Sequence, residues 1–202
     1  MKRKFLAVAA SFGLLASVSA NAALIDVVTD ADSKPMTIQS NNDYAPLVGL
    51  SGWNGATVVS TKSTTLKVTV EFLFMEASQD NRFYLNGAEV FNKFSRKNSP
   101  KSALWTGEAG DALDFSFLVN NKYFIDNTPT GNDGDNKRNF FTYWDGGNTV
   151  YLALDDGGPS AKDDDNHDDF IVKLTVVDVP EPASMALLGL GVLGLGMARR
   201  KA

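Results

Sequence analysis

Apolar and polar positions alternate with a period of two through much of the middle of the chain. Residues 66–74, LKVTVEFLF, alternate at first and then turn wholly apolar. That pattern predicts a strand buried on one face and then on both. In RFYLNGAEVF (82–91), Asn86-Gly87 separates two apolar-rich runs, 83–85 and 88–91. A two-residue type I′ hairpin is expected there, because both central residues of that turn need positive φ. Further strands are expected at 112–119, 122–125, 139–144, 149–154 and 170–177, with an early one at 24–28. Asp145-Gly146-Gly147-Asn148 reads as a turn between two of them, and residues 30–51 and 126–138 read as loops. No segment between the two ends sustains a helical period and no internal repeat is visible. The fold class expected is all-β, an antiparallel β-sandwich of jelly-roll-like form. Most aromatics fall on the expected strands and are assigned to the core. Trp53, Trp105 and Trp144 each have a glycine nearby; core is favoured for them too, with a sugar platform as the alternative.

The two ends follow different rules. Met1-Lys2-Arg3-Lys4, an apolar run over 5–18 and the small pair Ala20 and Ala22 form the three parts of a secretory signal peptide. Signal peptidase is expected to cut after Ala22, with Ala20 as the alternative. At the other end Pro180-Glu181-Pro182 stops the preceding strand, since two prolines remove backbone donors. A charge-free run over 183–198 follows, closed by Arg199-Arg200-Lys201. At about 1.5 Å per residue this run reaches about 24 Å, short of a typical hydrocarbon core but able to span with snorkelling arginines and local thinning. Basic clusters at both extremes place the ends in the cytoplasm and residues 23–179 outside. Gly189-x-Gly191-x-x-Gly194 matches a dinucleotide-binding pattern only formally, because no strand precedes it and no soluble helix follows.

The proline-glutamate-proline triplet, the Gly/Leu-rich apolar run and the basic tail together resemble the PEP-CTERM sorting signal. That resemblance implies export in Gram-negative bacteria that make exopolysaccharide, and recognition of Pro180, Glu181, Pro182, Arg199 and Arg200 by an exosortase, a membrane cysteine protease. Between the ends, FYLNGAEVF, GDALDFSFLVNN, TVYLALDDGG and DDNHDDFIVKLTVV resemble ectodomains of the same class, which carry no assigned activity. The acidic element is also similar to a DxDxND turn of bacterial surface domains associated with calcium.

Charge sharpens the picture once the ends are set aside. Residues 23–179 hold thirteen Lys and Arg against twenty-three Asp and Glu, a net −10, whereas the whole chain is −5. Such a surface disfavours nucleic acid and anionic lipid and suits divalent cations. The chain has no cysteine and one histidine. Disulfides, thiolate zinc, iron–sulfur clusters and a thiol nucleophile are thereby excluded, and a multi-histidine metal centre with them.

The chemistry that remains is concentrated in Asp155-Asp156 and in KDDDNHDDF, residues 162–170. A hairpin between the strands on either side would bring both acidic groups to one end of the sheet. Asp155, Asp156, Asp163, Asp165, Asn166, Asp168 and Asp169 supply hard oxygens of the kind calcium takes six to eight of. The spacing is not that of an EF-hand, which needs a sixth-position glycine and a twelfth-position glutamate. The alternative reading is a solvated acidic hairpin tip. Paired carboxylates also cut glycosidic bonds, but one of them needs a water-poor pocket, and Asp, Gly and Asn at a tip are wet. His167 would be a secondary ligand, since imidazole prefers softer metals.

The function expected is that of an exported, non-catalytic structural or adhesive component of an extracellular polysaccharide matrix or biofilm. It would be held to the membrane by its C-terminal helix until processed. A carbohydrate-binding module is the first alternative and a glycoside hydrolase the second. A row of exposed tryptophans would favour the module, and a cleft with two facing carboxylates the enzyme.

Overall fold

The computed structural model describes residues 22–76, 79–134, 138–157 and 166–179, with Leu190 alone beyond them. Thirteen strands run in chain order through these residues: β1 (Ile25–Val28), β2 (Lys34–Thr37), β3 (Ser51–Asn54), β4 (Thr57–Ser60), β5 (Thr64–Phe74), β6 (Asn81–Leu85) and β7 (Ala88–Asn92); then β8 (Lys101–Gly107), β9 (Phe115–Val119), β10 (Tyr123–Asp126), β11 (Asn139–Trp144), β12 (Thr149–Asp155) and β13 (Phe170–Asp178). Every strand pairing is antiparallel. The protein is all-β, as its alternation predicts. Among the described residues no helix is long and apolar enough to cross a membrane. The stretch expected to be a signal peptide lies outside them up to Asn21, as does, Leu190 apart, the 183–198 run expected to span the membrane.

One sheet has seven strands in the order β2-β3-β11-β12-β13-β5-β8, a second has four in the order β10-β9-β6-β7, and β1 pairs with β4 alone. The two larger sheets share one core. Leu66, Val68, Val70 and Phe72 of β5 alternate inward and meet Phe83, Phe115 and Phe117 of the four-stranded sheet in a single buried cluster. Phe117 packs on Phe83 at 5.0 Å between ring centroids, on Phe140 at 5.5 Å and on Phe170 at 6.2 Å, so one ring joins both sheets.

A second cluster lies on the other face of the seven-stranded sheet: Ile38, Leu47, Leu73, Phe141, Ala153 and Ile171. It explains the doubly apolar strand ends. Phe140, Leu154 and Val172 face the shared core, while their neighbours Phe141, Ala153 and Ile171 face this cluster. A register shift at Ile171/Val172, opposite Phe72 to Phe74, accommodates the change in β5. The stretch expected to be a loop, 30–51, is what covers this face. It contains β2 and a 3-10 turn at Ala45–Leu47, and it buries Ile38 and Leu47.

The Asn86-Gly87 hairpin forms as expected, with φ of +50° and +70° at its two residues. Over 127–134 no strand forms, yet the segment is fixed. Asn127 accepts from Val58 N at 2.8 Å and donates to Val58 O and Leu113 O. Asn132 accepts from Phe140 N at 2.8 Å and donates to Ala56 O and Phe140 O. Both asparagines are buried and stand in for missing ladder bonds.

Candidate functional site

Leu154 pairs with Phe170, so β12 and β13 bring Asp155 and Asp156 to the same sheet end as Asn166, His167, Asp168 and Asp169. Asp163 and Asp165, with Asp164, lie outside the described residues. The wet tip expected here is not found at the described positions. Asp155 and Asp156 are each 3% exposed, Asp168 is 1% exposed, and Asn166 and His167 are buried beside them. The physical reason is that chain distant in sequence supplies donors to these oxygens, which offsets the cost of removing them from water.

Those donors come from three directions. Gln79 Nε2 and Asn81 Nδ2, at the start of β6, donate to the two oxygens of Asp156, the latter at 2.9 Å. Backbone N–H groups of Asp43, Gly157 and Asp156 donate to Asp168 Oδ2 at 2.7 Å, Asp155 Oδ1 at 2.8 Å and Asp169 Oδ2 at 2.8 Å respectively. From the 38–50 segment, Asn42 Nδ2 donates to Asn166 O at 2.6 Å, and Asn166 Nδ2 donates to Asn41 O in return. His167 sits at φ +58°, with Nε2 2.9 Å from Asn139 Oδ1 and its ring edge-on to Phe141. Asparagine and histidine reach this left-handed region more readily than branched residues. The acidic group thus fastens the 38–50 segment and the start of β6 to the end of the β12–β13 pair.

As a metal site the described part is poorly furnished. Among the described residues, no three His, Asp or Glu side chains gather closely enough to share an ion. The described carboxylates are engaged as acceptors, although Asn81 Oδ1 is buried without a hydrogen-bond partner. The described residues do not by themselves fit a calcium cage, which would have to draw on 163–165.

The tryptophans separate. Trp105 is buried at 7% exposure, and Trp144 is half-buried with its indole N–H on Gly147 O at 2.9 Å. Trp53 is 38% exposed and borders a groove of about 330 Å³ with Pro35, Met36, Thr37, Ser51 and Gly52. No row of exposed tryptophans forms among the described residues.

A second cleft, of about 510 Å³, went unread in the sequence. It lies between β10 and the pinned 127–134 segment and is lined by Lys122, Tyr123, Phe124, Ile125, Gly131 and Arg138. Lys122 Nζ stands 4.8 Å and Arg138 Cζ 4.1 Å from the centre of the Tyr123 ring. Hydrogen bonding with Lys122, then the charges of Lys122 and Arg138, hold the Tyr123 phenol below its ordinary pKa. Phe124 is 61% exposed and tilts against Tyr84 at 5.9 Å. Its signal was NKYFID (121–126), two aromatics beside a base, but an apolar pair on a strand reads as core.

The tail matches the PEP-CTERM protein-sorting motif over residues 178–201. The motif implies an exported, surface-sorted protein that is an exosortase substrate. The match covers the tail alone and says nothing of the ectodomain. A search of curated protein sequences finds no match to the chain. Among solved structures, the fold search returns the Chromobacterium violaceum lectin CV2L in complex with alpha-methyl-fucoside at 12% identity and a TM-score of 0.30. That alignment covers 59% of this chain and 92% of the lectin chain, and a score so low supports no inference about ligand or topology.

Proposed function

We propose that the protein is a non-catalytic structural or adhesive component of an extracellular polysaccharide matrix. Residues 1–22 are its signal peptide, 23–179 a jelly-roll-like sandwich ectodomain, and 183–198 the span that holds the precursor in the inner membrane. The observation that carries this reading is the sorting motif at 178–201. The −10 charge of the ectodomain and the use of the described aspartates as hydrogen-bond acceptors support a binding surface over a catalytic pocket.

A carbohydrate-binding module is the second reading. Trp53 favours it, since an exposed indole beside the Thr37 and Ser51 hydroxyls, themselves 2.8 Å apart, offers a stacking face and polar partners to a sugar.

Alanine in place of Pro180, Glu181 and Pro182 together tests the sorting step. The precursor is expected to accumulate in the membrane fraction of the native host, followed by fractionation and mass. Processing and release at the wild-type rate would reduce the triplet to a linker.

A further inference from the structure

We infer that the open edge of β10 takes an extended, acidic peptide strand from another protein, which joins the four-stranded sheet along the cleft beside it. Such a partner goes beyond the matrix reading and does not depend on how the chain is sorted.

The register of β9 and β10 decides which backbone groups are open. Asn127 N–H donates to Phe115 O at 3.1 Å, continuing the run of pairs from Tyr123 with Val119 to Asp126 with Ser116. Bonded pairs alternate along an antiparallel ladder, so Tyr123 and Ile125 bond to β9 while the N–H and C=O of Phe124 and Asp126 point outward. Among the described strands none pairs on that side. The other edges of the two larger sheets are blunted in ways that hinder pairing. On β2 the outward positions are Pro35, which has no N–H, and Thr37, whose C=O accepts from Gln39 Nε2 at 2.7 Å. β7 and β8 are tied to each other, since Lys101 Nζ donates to Val90 O at 2.6 Å and Asn86 Nδ2 donates to Leu104 O. Among the described residues no side chain caps the outward groups of Phe124 in this way.

The shape of the cleft suits one chain. Four consecutive residues, Lys122 to Ile125, line its volume of about 510 Å³. Side chains alternate between the two faces of a sheet, so neighbours in sequence share a cleft along the strand's edge and not over either face. The far wall, 127–134, is fastened to β4 and β11 through Asn127 and Asn132. A fixed wall beside the edge bars a whole sheet from docking there and leaves a slot for a single extended segment. A preformed slot loses little ordering entropy on binding.

The outward N–H and C=O of Phe124 match one residue of an antiparallel peptide, which supplies the complementary pair. A sugar ring has hydroxyls but no run of N–H and C=O groups at strand spacing. The Phe124 side chain is 61% exposed, and a branched apolar residue opposite it covers the ring as a cross-strand pair. Charge sets the sign of the partner. No acid lines the cleft and Lys122 does, in an ectodomain of net −10. An acidic side chain on the incoming strand meets that ammonium, which keeps donors beyond the one that holds the Tyr123 phenol.

The test uses the full-length protein in mild detergent and a short peptide alternating valine and glutamate, blocked at both ends. Calorimetry at physiological salt compares it with two N-methylated forms. Methylation of the valine amides, which face β10 when valine pairs with Phe124, should weaken binding by about tenfold or more. Methylation of the glutamate amides, which face away, should change it by less than about threefold. Lysine in place of glutamate should weaken it by about tenfold. At saturating peptide, exchange of the Phe124 amide should slow while those of Tyr123 and Ile125, already bonded to β9, stay as they were. Phe124→Pro removes the outward N–H at an edge position where proline is tolerated, and should bind more weakly than Phe124→Ala, which keeps it. If the proline variant does not fold, the methylated peptides and the exchange of wild type still decide. No binding of the parent peptide, equal losses from the two methylations or the reverse order, undiminished binding of the lysine peptide, or unchanged exchange at Phe124 would each overturn the inference.

Discussion

Phe117→Ala should lower the unfolding free energy by about 3–5 kcal/mol, the cost of truncating a fully buried phenylalanine. For a chain of this size that corresponds to a fall in Tm of about 6–20 °C. Phe117 is 0% exposed and touches Phe83 in its own sheet and Phe140 and Phe170 in the other. Its removal leaves a void between two sheets whose backbones are held by hydrogen-bonded ladders and cannot close over it. Phe124→Ala is the matched control, since the same side chain is 61% exposed on the neighbouring strand and should cost less than about 0.5 kcal/mol. Thermal unfolding followed by circular dichroism measures both. Similar losses in the two variants would mean that the sheets do not share the core described.

Where the sequence was legible, one face of a strand was wet and the other dry. β5 shows this through Leu66, Val68 and Val70, and the β6–β7 hairpin through Asn86-Gly87, whose positive φ few other pairs supply. The strands β2, β3, β4 and β8 were not foreseen. β2 carries Pro35 on a sheet edge, where a missing N–H is tolerated, and β3 has only Gly52 and Trp53 to mark it. β8 is an edge strand whose Leu104 is exposed and whose one buried side chain is Trp105, so its alternation is faint. The burial of the described acidic positions was illegible for a different reason. Five aspartates in nine residues say how much charge is present, not which donors approach it. Asn42 and Asp43 lie 124 and 125 residues from their partners, and Asn81 lies 75 from Asp156. No local pattern encodes contacts at that range. The aromatic cleft was hidden by the same alternation rule that found the strands, because Phe124 is apolar on a strand and yet faces water.

Asp156→Ala is expected to destabilise the protein by about 2–4 kcal/mol, and by the same amount with calcium or with a chelator present. Its two oxygens accept from Gln79 and Asn81, and Asn81 is 0% exposed. Alanine removes both acceptors and leaves the buried amide donor of Asn81 unpaired, a loss of about 1–3 kcal/mol in addition to the bonds themselves. Nothing in that account involves a metal, so the ion should not alter the size of the loss. Asp165→Ala provides the contrast, because residues 163–165 supply the remaining candidate oxygens for calcium. Melting in millimolar calcium against chelator at fixed ionic strength, for wild type and both variants, separates the two roles. A calcium-dependent rise in wild-type Tm that Asp165→Ala abolishes and Asp156→Ala preserves would assign the ion to the 163–165 segment and the buried aspartates to fastening the fold. If Asp156→Ala instead melts like wild type in chelator and lower than wild type only in calcium, Asp156 is a ligand and the fastening role is wrong.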